Sequence, residues 1–188
     1  MEPMYEAKTF NIPSLDGISS QTIEEHLGLY NGYVKNLNHI LDSLKQVVDP
    51  YAKREMQRRM GFEFGGMRNH EYYFAQFEEG SKSLPPGKLK ELIEEQYDNV
   101  DSFVDSFKEI ASTRGVGWVI AYIDKSVNKL VMTWVDEQHL GQLVDVDMVL
   151  ALDMWEHSYM LDYPPSKKKD YIEAFFRNLN WEVVAGRV

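Results

Sequence analysis

The chain has 188 residues, enough for one domain or a compact two-part protein, and 44% of them are hydrophobic, which argues against disorder. It contains no cysteine, so disulfides, thiolate zinc sites and cysteine nucleophiles are excluded. The formal net charge of −10 is unfavourable for binding nucleic acid, and we expect no nucleic-acid partner.

The first half of the chain is predicted to be helical. After an extended start, residues 19–48 carry apolar side chains three and four positions apart, which indicates one long amphipathic helix ending before Pro50. Pro50 then suits the first turn of a short second helix. Gly65 and Gly66 are expected to break the chain before a third helix over residues 69–80.

A linker follows these helices. The stretch GSKSLPPGK contains Pro85, Pro86 and Gly87, residues that favour turns and end helices. We therefore place a domain boundary in it, between an N-terminal helical domain over residues 1–86 and a C-terminal α/β domain over residues 87–188.

The second half mixes helices with strands. KLKELIEEQYDN and DSFVDSFKEIAST predict two helices, with Asp101 as the N-cap of the second. GWVIAYID and KLVMTWVD are rich in β-branched and aromatic residues on either side of a short polar turn, which predicts a β-hairpin. In LVDVDMVLAL alternate residues from Val144 to Leu152 are apolar, which indicates a third strand of a small antiparallel sheet. SKKKDYIEAFFRNLNWEVV predicts a closing helix.

The sequence also bears on location. MEPMYEAKTFNIPSL has neither the basic start nor the apolar stretch of a signal peptide. No run of about 18 apolar residues predicts a membrane span. Because the absence of cysteine also fits a reducing compartment, we expect a cytoplasmic protein with no membrane partner.

One segment near the C-terminal end places polar groups directly after an apolar run. In ALDMWEHSYMLDY, residues 151–163, Asp153 follows VLAL and His157 comes four residues later. A buried carboxylate or imidazole needs a partner, which can be a metal ion or a salt bridge. So short a pattern does not decide between the two.

The five histidines are the other candidate metal ligands. Taken singly, each is interpreted first as a hydrogen-bonded histidine at the edge of the core. His39 and His139 have no neighbouring feature that suggests more. The full set is His26, His39, His70, His139 and His157.

Several segments together resemble a known family. TIEEHLGLYNGYVKNLN, FGGMRNHEYYF, GVGWVIAYI and LDMWEHSYMLDY, followed by YIEAFFRNLNWEVV, resemble the successive signature blocks of the iron/manganese superoxide dismutases. The resemblance covers nearly the whole chain, and DMWEHSY is its most specific piece. It implies an α+β fold, with an N-terminal helical hairpin domain joined to a C-terminal α/β domain that holds a three-stranded antiparallel sheet.

The same resemblance implies a metal site and an activity. Its ligands are His26, His70, Asp153 and His157, which bind one manganese or iron ion per chain. The implied reaction converts superoxide, a small anion, to oxygen and hydrogen peroxide by redox cycling of that ion. Three imidazoles and one carboxylate suit such a first-row metal.

Further roles around the ligands are implied by the resemblance. Tyr33 matches a gateway tyrosine, and Trp118 and Trp155 match aromatic residues that line the metal cavity. Glu156 matches a glutamate that reaches across a homodimer interface to the ligand histidine of the second chain, here His157. Without the family, core packing explains the aromatic residues and a solvated surface charge explains Glu156.

The choice of metal depends on one glutamine. In this family, a glutamine that hydrogen-bonds the solvent on the metal comes either from the helix with the second histidine, as in iron enzymes, or from the loop after the second strand, as in manganese enzymes. The helix position here is Gly66, whereas the loop WVDEQHL provides Gln138, with His139 as a neighbouring alternative. The resemblance therefore implies Gln138 and a preference for manganese, with a dual-metal enzyme as the alternative.

Departures from the family pattern leave alternatives open. Tyr30 or Asn31 stands where the first helix usually has a second histidine, and Met160 replaces its usual tyrosine partner. Lys167–Lys169 and Arg68 are candidate cations for the entrance of an anionic substrate.

Two other functions compete with a superoxide dismutase. One is a mononuclear iron oxygenase-type enzyme, and the other is a non-catalytic protein that keeps the fold.

Overall fold

The computed structural model describes residues 4–188, and two long helices come first. Helix α1 (Ser20–Ser43) and helix α2 (Pro50–Ala75) pack against each other as a hairpin. Ser19 caps the first helix by accepting a hydrogen bond from a backbone N–H, and Asp49 caps the second in the same way. The predicted helical hairpin is therefore present.

Both helices differ in extent from the prediction. Helix α1 ends at Ser43, because no residue between Ile40 and the next helix is buried and Val48 is 91% exposed. Helix α2 runs through Gly65 and Gly66 without a break. The predicted break is wrong because these glycines serve close packing, not a turn.

The rest of the chain alternates helices and strands. Two helices precede the sheet, and two short helices close the chain after it. In order the elements are α3 (Lys88–Tyr97), α4 (Val100–Ala111), β1 (Gly117–Asp124), β2 (Lys129–Asp136), β3 (Asp147–Asp153), α5 (Lys168–Arg177) and α6 (Trp181–Ala185).

The sheet has β1 in the centre, with β2 and β3 antiparallel to it on either side. Strand β1 is buried along seven of its eight residues, so both of its faces are covered. In the register between β1 and β3, Trp118 lies opposite Asp153. The predicted α+β fold with a three-stranded antiparallel sheet is confirmed for the described residues.

Three local predictions in this half need correction. Asn99, not Asp101, caps α4, because its side chain accepts a hydrogen bond from the backbone N–H of Ser102. Strand β3 begins later than predicted, since Val144 is 87% exposed. The single closing helix that was predicted is divided into α5 and α6, because Asn180 leaves the helical conformation and caps α6.

One apolar core joins the two halves of the described chain. Helix α2 packs on β3, and α1 contacts a short 3-10 turn at Glu156–Ser158. These contacts bring the hairpin to the end of the sheet where Asp153 lies.

The division into domains at residue 86 stays a prediction. None of the helices in residues 4–188 has the length and apolar character needed to cross a membrane.

Candidate metal centre

Four side chains from four elements meet at one point. His26 lies on α1, His70 on α2, Asp153 at the end of β3 and His157 in the following 3-10 turn. One nitrogen or oxygen atom from each lies within 4.8 Å of all the others. The side chains of the first three are fully buried, and that of His157 is 21% exposed.

The three imidazoles converge on a single carboxylate oxygen. Oδ2 of Asp153 lies 3.0 Å from Nε2 of His26, 3.1 Å from Nε2 of His157 and 3.5 Å from Nε2 of His70. All three rings therefore turn the same nitrogen towards the same point, which is the geometry that a shared metal ion requires.

A hydrogen bond on the far side of one ring sets its orientation. Nδ1 of His70 lies 2.6 Å from the carbonyl oxygen of Gly66, one turn back on α2, and donates its proton there. Nε2 is then the unprotonated nitrogen, and it is buried with no hydrogen-bond partner among residues 4–188. A buried lone pair of this kind is suited to a metal ion, because an unpaired polar atom is otherwise costly.

Asp153 is held by its neighbours in the chain and by α5. Its Oδ1 accepts a hydrogen bond of 2.8 Å from the backbone N–H of Trp155, which leaves Oδ2 for the cluster. The backbone carbonyl oxygen of Asp153 accepts a hydrogen bond of 2.9 Å from the Tyr171 hydroxyl and one of 3.0 Å from the Ser158 hydroxyl. Sequence analysis did not identify Tyr171 or Ser158, because no local pattern relates either residue to this carbonyl.

Burial and neighbouring groups set the protonation states of His26, His70 and Asp153. Burial lowers the pKa of His26, and it lowers the pKa of His70 to about 3, so both imidazoles are neutral near pH 7. Burial alone would raise the pKa of Asp153, but electrostatic interaction and hydrogen bonding with the neighbouring His157 and His26 imidazoles hold that pKa well below its ordinary range. Neutral imidazoles and an ionised carboxylate are the forms that bind metal.

A hydrogen-bonded chain lies beside this cluster. Nε1 of Trp118 donates to Oε1 of Gln138 over 2.9 Å, and Nε2 of Gln138 donates to the Tyr33 hydroxyl over 3.0 Å. The rings of Trp118 and Tyr33 lie 5.0 and 5.1 Å from that of His70. Burial, together with the Asp153 and Glu63 carboxylates, raises the pKa of Tyr33, so its hydroxyl keeps its proton.

The two glycines of α2 make room for this chain. A Cβ atom at Gly65 would collide with the backbone carbonyl of Gln138, and one at Gly66 would collide with the ring of Tyr33. Asn69, fully buried on the same helix, donates to that Gln138 carbonyl over 3.1 Å. The loop after β2 is thus fixed directly against the helix that carries His70.

His139, the neighbouring alternative to Gln138, takes no part in the chain. Its ring packs edge-on against Phe62, with the ring centroids 5.8 Å apart. Gln138 is instead the residue that reaches both Trp118 and Tyr33.

Trp155 and Glu156 lie on the outer side of the cluster. The Trp155 ring stacks on that of His157 with centroids 5.8 Å apart, and Glu156 is exposed. Glu156 and His157 line a shallow depression of about 320 Å³ together with Leu29 and Met160.

The departures from the family pattern now have structural explanations. Tyr30 is fully buried, and its hydroxyl accepts from the backbone N–H of Lys8 over 2.8 Å. Leu29, not Tyr30 or Asn31, therefore shares the surface depression with Met160. An apolar pair, Leu29 and Met160, thus lies in this depression, where the resemblance already implied that the histidine and tyrosine pair of the family is missing.

Two of the candidate entrance cations, Lys168 and Arg68, make their contacts outside the cluster. Lys168 donates to the Thr113 carbonyl over 2.8 Å and lies over the ring of Trp134. Arg68 donates to the Glu71 carboxylate over 2.7 Å. Neither of these contacts involves a residue of the cluster.

Comparisons with known proteins agree with this geometry. The family model described as iron/manganese superoxide dismutases, C-terminal domain, matches residues 85–187. A protein of Aquifex aeolicus named "Superoxide dismutase (Fe)" is 33% identical over 184 residues, which are 93% of this chain and 85% of that protein. One of Aquifex pyrophilus with the same name is 32% identical over 100% of this chain and 90% of its own length. A protein of Mycolicibacterium fortuitum named "Superoxide dismutase (Mn)" is 28% identical over 95% of this chain and 92% of its own length.

Proposed function

This chain belongs to the iron/manganese superoxide dismutase family and is an enzyme of that kind, and we propose that His26, His70, Asp153 and His157 bind its metal ion. The observation that carries the proposal is the convergence of three Nε2 atoms on one carboxylate oxygen, with the lone pair of His70 buried. One ion per chain follows from one such cluster in residues 4–188.

The residues around the ligands have separable tasks in this proposal. Manganese or iron supplies the redox change by which one superoxide is oxidised to oxygen and a second is reduced to peroxide. Peroxide needs two protons to leave as hydrogen peroxide. Because Gln138 donates to the Tyr33 oxygen, the Tyr33 hydroxyl directs its own proton to another acceptor, and we assign it to the small anion in the cavity.

Trp118 and Trp155 limit access and hold their neighbours. Trp118 is fully buried beside His70 and fixes the carboxamide of Gln138. Trp155 covers His157 from outside, and its Nε1 donates to the Glu137 carbonyl over 3.1 Å. Their apolar rings exclude bulk water from the cluster, which strengthens the electrostatic interactions within it.

Manganese is the metal that we propose this enzyme prefers. The relatives named above include both metals, so the proposal depends on Gln138. This side chain comes from the loop after β2, and Gly66 leaves no room for a glutamine from α2. A donor close to the solvent on the metal favours hydroxide and lowers the potential of the metal, a correction that manganese needs more than iron does.

A homodimer completes the proposal. Leu29, Met160 and Leu161 are 43%, 49% and 56% exposed around Glu156, an apolar surface suited to burial against a second chain. In such a dimer the Glu156 carboxylate accepts a hydrogen bond from His157 of the other protomer and so provides the acceptor that a ligand histidine usually has.

We also propose a cytoplasmic location, supported by the absence of cysteine.

The direct test is metal analysis together with a superoxide assay on the same preparation. We expect about one manganese or iron ion per chain and dismutation in proportion to the metal content. The mononuclear iron oxygenase and the non-catalytic scaffold are not favoured by the relatives. Full metal content without dismutation would contradict the proposed site chemistry.

A further inference from the structure

The outer wall of the site is the ring of Phe62 on α2. Its centroid lies 5.9 Å from that of Tyr33 and 6.4 Å from that of Trp155. Tyr33 and Trp155 are partly exposed, whereas three of the four proposed ligands are fully buried. Phe62 therefore lies between two partly exposed rings that stand next to the buried ligands, on the side that we assign below to substrate entry.

A cation covers this wall. The guanidinium carbon of Arg59 lies 3.6 Å from the centroid of the Phe62 ring, close enough for a cation–π contact. The Arg59 side chain is 51% exposed. It therefore presents positive charge to solvent beside the rings of Phe62 and its neighbours.

A buried carboxylate holds the cation in place. Nε of Arg59 donates to Oε1 of Glu63 over 2.9 Å, and the Glu63 side chain is only 5% exposed. Asn36 on α1 donates to the other oxygen of Glu63 over 3.4 Å. The pair has an inner negative end and an outer positive end, so an approaching anion meets Arg59 first.

The charge of the whole chain makes a local cation necessary. Superoxide is an anion, and a protein with a net charge of −10 repels it at long range. Arg68 lies over the rings of Tyr5 and Phe64, and Lys168 over that of Trp134, so neither shares the place of Arg59 over Phe62. Arg58, the preceding residue of the same helix, is paired with Glu55 and has no contact with the site rings among those described.

We propose that Arg59 is the cation that guides superoxide into the metal site and that Glu63 positions it over Phe62. The inference rests on the metal cluster being the active site. It adds a substrate-guiding residue that the sequence analysis did not identify, since nothing in the local sequence separates Arg59 from Arg54 or Arg58.

The decisive comparison is between Glu63→Gln and the double variant Arg59→Gln/Glu63→Gln. Both lack the buried carboxylate, so they differ only in the cation, and neither leaves Glu63 ionised without its partner. At low ionic strength we expect kcat/KM for superoxide to be about 3- to 10-fold lower in the double variant, with kcat nearly unchanged. This difference in kcat/KM should be largest at about 0.01 M salt and absent at about 1 M salt, because the Debye length falls from about 30 Å to about 3 Å over that range.

Matched controls separate guidance from a structural effect. Arg58→Gln removes the same charge from the neighbouring position and should leave kcat/KM at its wild-type value. Arg59→Lys keeps the charge and should retain most of the rate of the wild type. The affinity for azide, a small monoanion, should be lower in Arg59→Gln/Glu63→Gln than in Glu63→Gln and unchanged in Arg58→Gln, which gives a readout independent of turnover.

Two results would overturn the inference. One is equal kcat/KM at low salt in the single Glu63→Gln variant and in the double variant. The other is a decrease in kcat/KM that has the same size at every salt concentration, or that is as large in Arg59→Lys as in Arg59→Gln. A packing role for Arg59 would produce either result. Since wild-type activity is the reference throughout, an inactive wild type would count against the proposed function instead.

Discussion

A Cβ atom at Gly66 would lie 2.5 Å from Cδ1 of Tyr33, well inside van der Waals contact. The carbonyl oxygen of Gly66 also accepts a hydrogen bond from Nδ1–H of His70. One glycine thus sets the position of the Tyr33 ring on one side and the tautomer of a proposed ligand on the other.

From this contact we expect Gly66→Ala to lower turnover roughly 10- to 100-fold, since misplacement by about 1 Å has effects of that size. Metal content should remain close to that of the wild type, because the Gly66 carbonyl stays. The control is Gly28→Ala on α1, where the added Cβ has no atom within 4 Å. It should keep full activity and gain up to about 1 kcal/mol of stability. Equal activity in both variants would contradict the role of the contact.

Replacing Asp153 with Ala should abolish metal binding and activity, because no other carboxylate belongs to the cluster within residues 4–188. The variant should also lose the stabilisation by bound metal, about 2.7 kcal/mol when the ion is at 100 times its Kd. That corresponds to a decrease in Tm of about 5–11 °C. Atomic emission and calorimetry measure the two effects. His39→Ala, at an exposed position, is the control and should change neither metal content nor Tm. An Asp153→Ala protein with full metal content and full activity would rule out the assigned site.

Gln138→Ala should lower the turnover of the manganese form about 10–100-fold without emptying the site, because Gln138 contacts Tyr33 and Trp118, not the proposed ligands. Stability should fall by about 1–3 kcal/mol, since the buried Nε1 of Trp118 loses its acceptor. The exposed Gln57→Ala serves as the matched control.

The preference for manganese is tested on protein reconstituted separately with each metal and assayed per bound ion. We expect the manganese form to be the faster one. An iron form that is clearly faster would show that Gln138 does not set the potential as proposed.

Leu29→Glu should weaken the proposed homodimer. Burial of one leucine contributes about 1.5–3 kcal/mol, so we expect the dimer dissociation constant to rise about tenfold or more. Sedimentation across a dilution series measures this. Val127→Glu, at a residue that is 61% exposed on the β-hairpin turn, is the control and should not change assembly. A wild-type protein that is monomeric and fully active at assay concentrations would remove Glu156 from the mechanism.

The metal-free protein should lose stability on mild acidification. Burial lowers the pKa of His26, and that of His70 to about 3, from the value of 6.5 that applies to the unfolded chain. Below pH 6.5 the unfolded state therefore binds more protons, and the free energy of unfolding decreases as the pH falls. The slope approaches about 1.4 kcal/mol per pH unit for His70, and His26 adds to it in the same direction.

Urea unfolding of the chelated protein at pH 7 and pH 5 measures this slope. Asp153 does not contribute in that window, because its pKa lies below 3.8 in the folded protein. His70→Gln should reduce the slope, whereas His39→Gln, at an exposed position, serves as the control. An unchanged slope in His70→Gln would show that His70 takes up its proton in the folded state as well.

Elements with a strong local pattern were predictable from the sequence. The hairpin of β1 and β2 has β-branched and aromatic runs of eight residues each on either side of a polar turn, and both strands form as predicted. The start of α2 follows from Pro50, whose fixed backbone angle suits a first helical turn. Such signals act between residues close in the chain.

Elements whose state depends on distant contacts were not predictable. Gly65 and Gly66 resemble a helix break locally, yet they continue α2, because Tyr33 and Gln138 occupy the space beside them. Val144 continues an alternating pattern, but nothing covers it, and the strand begins after it.

The same division holds for the site. Sequence alone determined the identity of the candidate ligands, because a carboxylate and an imidazole four residues apart after an apolar strand, with the other blocks in order, can be recognised without the fold. Only the tertiary structure decided which nitrogen of each ring faces the cluster and that Gln138 joins Trp118 to Tyr33. It also decided that Arg59, among several arginines of one helix, lies over the wall of the site. Direction and distance between residues far apart in the chain arise from packing, and packing exists only in the folded molecule.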